Sequence, residues 1–176
     1  MKKLYFIRHG ESEANKNKVF AGRWDIPLTE EGIRQAHRAG KSARELEIDC
    51  IVSSPLQRAK HTAEIIADEI NYSREKIVIS DLFSERDYGD LSGKLWSSVA
   101  NIDFDMIPNI ETTAELIGRA DQAVRFLQAL KSDNVLLVGH GTAGRAVRSQ
   151  ILGQIKNAVE VPIEDEIPNS QVVEWL

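Results

Sequence analysis

Apolar residues fall along this chain in runs of two kinds. Residues 3 to 8, 49 to 53, 76 to 80 and 134 to 139 are short apolar stretches, the pattern of buried strands. Between them, apolar positions recur every three or four residues. Ile33, Ala36, Ala39, Ala43 and Leu46 share one helical face behind Thr29, a hydroxyl N-cap, with Glu30 and Glu31 in the first turn where the helix dipole favours acids. A second helix is expected from Ser54-Pro55, a cap residue followed by proline, with Leu56, Ala59, Ala63, Ile66 and Ile70 on one side and Arg58 in its first turn. Glu111 to Leu130 and Thr142 to Leu152 give two more helices, and Gln171 to Leu176 reads as a last strand.

Strands alternating with helices predict an α/β fold: a mostly parallel central sheet with helices on both faces, three layers in all. Residues 81 to 111 break the alternation. They contain DYGDLSG, have little periodicity, and read as a long loop over one sheet edge, a length usually reserved for function. The whole of 1–176 reads as a single domain, and 176 residues suffice to bury roughly two-thirds of the unfolded surface.

Composition narrows the partners. A net charge of −5 argues against nucleic acid held by a broad basic face, but leaves small anions open, because a cleft needs only a few local cations. No apolar run is long enough for a membrane span or secretion signal. Cys50 is the only cysteine and sits in an apolar run, so it reads as a buried small residue. A reducing cytoplasm is the expected location. Oligomeric state leaves no mark on the pattern.

The candidate chemistry lies where strands end. FIRHG and VLLVGHG each close an apolar run with His-Gly, placing His9 and His140 at the carboxyl ends of strands, where ligands bind in such sheets. A lone strand-end histidine is commonly a satisfied polar group; a pair beside Arg8 and Arg58 points to an anion. The arginine fork suits phosphate, so His9 is read as a nucleophile toward phosphorus, with Arg8, Arg58 and His140 as a cationic cradle. Neighbouring positive charge keeps His9 neutral, while His140 beside bound phosphate would keep its proton and donate. Gly10 and Gly141 would let backbone approach the ligand. The leaving group needs a proton as well, and Glu85, Asp87 and Glu11 are all placed to offer one, provided burial or substrate charge keeps the carboxyl protonated.

FIRHGESEAN, FAGRWDIPLTEEG, SSPLQRAKHTA, LFSERDYGDLSG and VLLVGHGTAGRAV, in that order, resemble the successive signature blocks of the histidine phosphatase superfamily, in its phosphoglycerate mutase-like branch. The resemblance implies a single histidine phosphatase domain with a substrate lid around 81–111. It implies His9 as the phosphorylated residue, Glu85 as proton donor, and Arg8, Arg58 and His140 as phosphate-pocket residues. Asn15, Ala21, Gly22, Gly141, Arg86 and Tyr88 match positions that contact the transferring group or substrate. It implies no metal and no cofactor.

That family contains phosphatases, which pass the phosphoryl group to water, and mutases, which pass it to a sugar acid and need a 2,3-bisphosphoglycerate primer. The ERDYG block is similar to the mutases' own. Yet Trp96 stands where mutases carry a lysine, Lys94 lies two positions early, and Lys94 to Ile110 holds no arginine to grip a phosphoglycerate. Hydrolysis of small phosphomonoesters is therefore expected, with a 2,3-bisphosphoglycerate-dependent phosphoglycerate mutase as the alternative and the apolar Phe104, Met106 and Ile107 shaping substrate choice. A non-catalytic phosphate-binding protein is the alternative of another class, against which the full set of site residues counts.

A dinucleotide site is a weaker reading. Gly139 to Gly144 fits G-x-G-x-x-G, with Glu160 near the ribose-binding distance, but it leaves the Arg-His-Gly block unexplained. A hydrolase elbow fails because Gly141 stands where the serine is required. His37 reads as solvent-facing, and His61, one turn after Arg58, as a surface residue or a rim residue of the pocket.

Overall fold

The structure, a computed structural model, describes residues 1–99, 103–154 and 168–176. In chain order the elements are β1 (Lys3–Arg8), the one-turn α1 (Glu13–Lys16), α2 (Glu30–Ala43), β2 (Cys50–Ser53), α3 (Gln57–Glu69), β3 (Val78–Ile79), α4 (Thr113–Ala129), β4 (Asn134–Gly139), α5 (Gly141–Ile151) and β5 (Val172–Glu174). The sheet runs β3-β2-β4-β1-β5, parallel except for β5, which lies antiparallel on β1. This is the expected α/β fold.

Alternation along the strands makes the layers. Leu4 and Phe6, Cys50 and Val52, Val135 and Leu137 face one side, where Leu116, Ala120, Ala123 and Leu127 of α4 and Ala146 and Val147 of α5 cover them. Tyr5 and Ile7, Ile51, Leu136 and Val138 face the other, against Ala39 and Ala43 of α2 and Ala59, Ala63, Ile66 and Ala67 of α3. Small residues on the helices let them lie close to the branched strand residues. Gly144 does so most closely: a Cβ there would meet the Phe6 ring at 2.6 Å. The last glycine of the G-x-G-x-x-G match thus serves helix-on-sheet packing, and Glu160, its proposed ribose partner, lies outside the described residues. On its other side Phe6 stacks with Trp175, centroids 4.2 Å apart, which ties the last strand to the core.

Several boundaries differ from expectation. The helix expected at Ser54-Pro55 begins at Gln57, with Leu56 at the cap position and no side-chain cap bond. Ser54 Oγ accepts from Leu56 N at 3.3 Å but is also drawn to His140, so the serine belongs to the strand end and not to a cap. The next helix starts at Thr113 behind a capping box of Thr112 and Glu115, leaving Glu111 outside it. The strand expected over 76 to 80 pairs only at Val78 and Ile79. The described residues between 81 and 111 form short 3-10 turns at 81–83, 89–91, 96–99 and 104–106 and one isolated bridge, Leu95 to Val19. Among the described residues, no helix is long and apolar enough to cross a membrane.

Candidate active site

Register brings the histidines together. Ile7 pairs with Val138 and Arg8 with Gly139, so His9 and His140 each leave their strand one residue beyond the last pair, and His9 N donates to Gly139 O at 3.0 Å. Their rings meet edge to face with centroids 5.1 Å apart, and both are buried. Arg58 comes in from the first turn of α3. Its side chain is 1% exposed and donates to Trp24 O at 2.8 Å, Gly22 O at 2.7 Å and, through Nε, His9 Nε2 at 3.2 Å. Gly22 adopts φ +50°, and a Cβ there would lie 3.1 Å from Tyr88 N, so this turn requires glycine.

The partners of His9 define its tautomer. Nδ1 lies 2.6 Å from Gly10 O, an acceptor only, so Nδ1 carries the proton; Nε2 receives the Arg58 Nε–H and so carries the lone pair. Burial pushes the His9 pKa well below the ordinary imidazole value, and the charges of Arg58 and then Arg8 push it further, opposed only by the Gly10 carbonyl. A neutral ring with its lone pair beside two guanidinium groups is a nucleophile suited to an anionic electrophile. The backbone holds the ring from behind: Asn169 Nδ2 donates to His9 O at 2.6 Å, Ser170 N to Arg8 O at 2.8 Å, and Gly10 N to Thr62 Oγ1 at 3.1 Å.

The proton expected on His140 belongs to the phosphate-bound state; the free protein shows the ring without an anion. Burial, then Arg58, His9 and Arg8, hold its pKa well below the ordinary value, so without an anion the ring is neutral. Nε2 bonds Ser54 Oγ at 2.8 Å, while buried Nδ1 has no hydrogen-bond partner. His140 is itself fully buried and is not among the residues that line the cavity beside His9. Gly10 is also placed differently. A Cβ on it would sit 2.3 Å from Gly32 O, so the glycine makes room for the first turn of α2 and not for a ligand.

Of the three candidate acids, Glu85 stands at the site. Its carboxylate accepts from Arg86 N at 2.8 Å, Thr142 N at 3.2 Å and Ala143 N at 2.9 Å, the last two being the opening N–H groups of α5. Glu11 instead accepts from Thr29 Oγ1, and Asp87 caps Gly89 N. Arg8, His9, Arg58, Glu85 and Gly141 line one cavity of about 300 Å³, together with Asn15, Ala21, Gly22 and Tyr88. Asn15 Oδ1 is occupied by Ser12 in a capping box, which leaves its amide NH₂ for a ligand. Tyr88 bonds Thr142 Oγ1 at 2.7 Å, and burial raises its pKa to about 12, so the phenol keeps its proton.

Arg86, expected at the substrate, points elsewhere. Its guanidinium donates to Glu111 O and Asp105 Oδ1, both at 2.8 Å, and lies over the Phe104 ring, where it ties the 81–111 segment to itself. His61 is exposed and does not line the cavity, while His37, half exposed, bonds Glu69 at 2.9 Å. Ser12, Val19, Phe20, Trp96 as a wall, Thr142 and Arg145 also line the cavity, and no local pattern of residues marked them. Phe20, Tyr88 and Phe104 form an aromatic cluster there, with Phe20 and Tyr88 centroids 4.9 Å apart. Among the described residues, no group of three or more His, Cys, Asp or Glu side chains could hold a metal.

Two imidazoles, a buried Arg58 and a partly buried Arg8 thus stand at the carboxyl edge of the parallel strands, with an acid at a helix N-terminus, a set of groups chemically suited to an anion such as a phosphoryl group. The chain belongs to the histidine phosphatase superfamily (branch 1), whose family model matches residues 4–165. Relatives divide between activities. It is 39% identical over 155 residues, 87% of this chain and 79% of the other, to a protein of Bacillus subtilis named "Uncharacterized phosphatase PhoE". It is 32% identical over 165 residues, 84% of this chain and 79% of the other, to a 2,3-bisphosphoglycerate-dependent phosphoglycerate mutase of Parvibaculum lavamentivorans. In fold it is similar to a mycobacterial glucosyl-3-phosphoglycerate phosphatase solved with VO3, with a TM-score of 0.85 over 99% of this chain and 90% of the other, at 22% identity.

Proposed function

We propose that this protein hydrolyses small phosphomonoesters through a phosphohistidine on His9. The observation that carries the proposal is the His9 tautomer: proton on Nδ1 toward Gly10 O, lone pair on Nε2 beside Arg58. An entering phosphoryl oxygen takes the Arg58 Nε–H away from Nε2 and frees the lone pair. Nε2 then bonds to phosphorus as the ester P–O bond breaks. Arg8 and Arg58 hold the oxygens on which charge spreads. Glu85, protonated for this step, gives its proton to the leaving alkoxide. With the alcohol gone, the Glu85 carboxylate takes a proton from water, whose oxygen attacks phosphorus and returns His9 with free phosphate. In this scheme the protein's own cations meet the charge without a metal, the chain is one histidine phosphatase domain, and residues 81–111 are its substrate lid.

A mutase reading has one point in its favour, the ERDYG block, supported by the 32% identical mutase relative. Against it, Arg86 is spent on Asp105 and Glu111, and Lys94 to Ile110 supplies no arginine. A panel of phosphomonoesters that includes 3-phosphoglycerate, with and without 2,3-bisphosphoglycerate, tests this. Free phosphate as the main product, independent of the primer, is the expected result; primer-dependent formation of 2-phosphoglycerate would transfer the protein to the mutases.

A further inference from the structure

Two bonds of unequal standing fix the ring of His9. Arg58 Nε–H meets Nε2 at 3.2 Å, and the Nδ1 proton meets Gly10 O at 2.6 Å. In the proposed reaction an entering phosphoryl oxygen draws the Arg58 N–H away, so at the moment of attack the Gly10 carbonyl alone keeps the proton on Nδ1 and the lone pair on Nε2. Where that carbonyl points is therefore a condition of the chemistry.

Gly10 O is placed by the peptide unit before it. His9 O and Gly10 N belong to one planar group, and that group is held at both ends. Asn169 Nδ2 donates to His9 O at 2.6 Å, and Gly10 N donates to Thr62 Oγ1 at 3.1 Å. Thr62 is fully buried on α3, and its hydroxyl donates to Arg58 O at 2.7 Å, which leaves it a lone pair for Gly10. Asn169 reaches the other end because the chain before β5 runs beside the end of β1: Arg8 and Asn169 form a parallel bridge, and Ser170 N donates to Arg8 O at 2.8 Å. Neither Thr62 nor Asn169 lines the cavity. Removing either one strands a backbone polar group in the interior, which favours rotation of the peptide plane toward another partner.

We propose that Thr62 and Asn169 are positioning residues for the nucleophile: by pinning the His9–Gly10 peptide at both ends they aim Gly10 O at Nδ1 and keep the attacking lone pair on Nε2; the proposal rests on the phosphatase reading of the same site. Neither side chain touches the phosphoryl group. Their loss therefore lowers the rate of attack without weakening the hold on the anion, which belongs to Arg8 and Arg58.

The test measures T62V, T62S and N169A beside the wild type. The first-turnover rate of p-nitrophenol release from p-nitrophenyl phosphate reports attack by His9, and the inhibition constant of inorganic phosphate reports anion binding. T62V and N169A should each slow the first turnover about threefold to tenfold, the range of one hydrogen bond, while the inhibition constant changes by less than about twofold. T62S keeps the hydroxyl and should recover most of the rate. ¹⁵N NMR of labelled histidine in saturating inorganic phosphate, assigned with His9→Ala, reads the tautomer without turnover. Wild-type His9 should carry its proton on Nδ1 alone, and T62V and N169A should show a share of the Nε2–H form. An unchanged tautomer and first-turnover rate in both variants would overturn the proposal. So would a loss of phosphate binding that matches the loss of rate, or a T62S as slow as T62V. Absence of p-nitrophenol release from the wild type would instead refute the phosphatase reading, and the NMR comparison would still decide the role of the two side chains.

Discussion

His9 is the residue on which burial and charge act together. An imidazole removed from water next to guanidinium groups gives up its positive form, which is why it is available as a nucleophile. The same fact bears on stability. His9 and His140 have folded pKa values well below the ordinary 6.5, so the unfolded chain binds more protons once the pH drops under that value. Their neutral burial therefore costs nothing above that pH and destabilises progressively below it. The urea midpoint should fall between about pH 7.5 and pH 5.5, a window above the usual carboxylate titrations. A midpoint that stays level or rises over this interval would contradict the neutral pair.

Glu85 is the acid to which the proposed mechanism assigns proton donation, since Glu11 and Asp87 are committed to Thr29 and Gly89. A donor matters most when the leaving group is a poor one. Glu85→Gln should slow alkyl phosphate hydrolysis by about 100-fold or more, within the range for general acids, and aryl phosphate hydrolysis much less. Equal losses on p-nitrophenyl phosphate and glycerol 3-phosphate would remove Glu85 from the donor role.

At the scale of elements, the site is a set of ends. Paired strand ends deliver His9 and His140, the start of α3 delivers Arg58, and the start of α5 holds Glu85. The first turn of α2 locks the loop after β1 by backbone contact: a Cβ on Gly32 would lie 2.0 Å from Glu11 O. Neither backbone can yield without moving the Arg8-His9-Gly10 loop. Gly32→Ala should destabilise by about 1–3 kcal/mol, as overpacking does, and reduce turnover with it. Gly118, inside α4 with nothing within 4 Å of its would-be Cβ, is the control. Gly118→Ala should stabilise by up to about 1 kcal/mol through helix propensity, so urea titration of both variants separates the mechanisms. Similar effects from both would mean that the contact at Gly32 is not tight.

For the molecule as a whole, the layers were legible because strand runs and helical spacing are set by burial, and burial leaves a periodic trace in the residues. The two His-Gly strand ends were legible for the same reason, since each interrupts an apolar run. Direction was not. Arg86 sits in the block that pointed to substrate, yet its side chain turns to Asp105, a contact made across 19 positions that no local pattern encodes. Ser54 read as a cap because serine followed by proline looks like one, whereas its hydroxyl serves His140, 86 positions away. Arg145 resembles any arginine on an exposed helix turn until the cavity is seen. The choice of Glu85 needed the family resemblance, and the structure supplies the reason the competing acids stand apart.

The central claim, that phosphate passes through His9, is tested most directly by rapid acid-free quenching of the protein during turnover of a ³²P-labelled phosphomonoester, followed by peptide mapping. The expected result is alkali-stable, acid-labile label confined to the peptide containing His9 and absent from His9→Ala. Steady turnover with no labelled protein, or label that persists in His9→Ala, would contradict it.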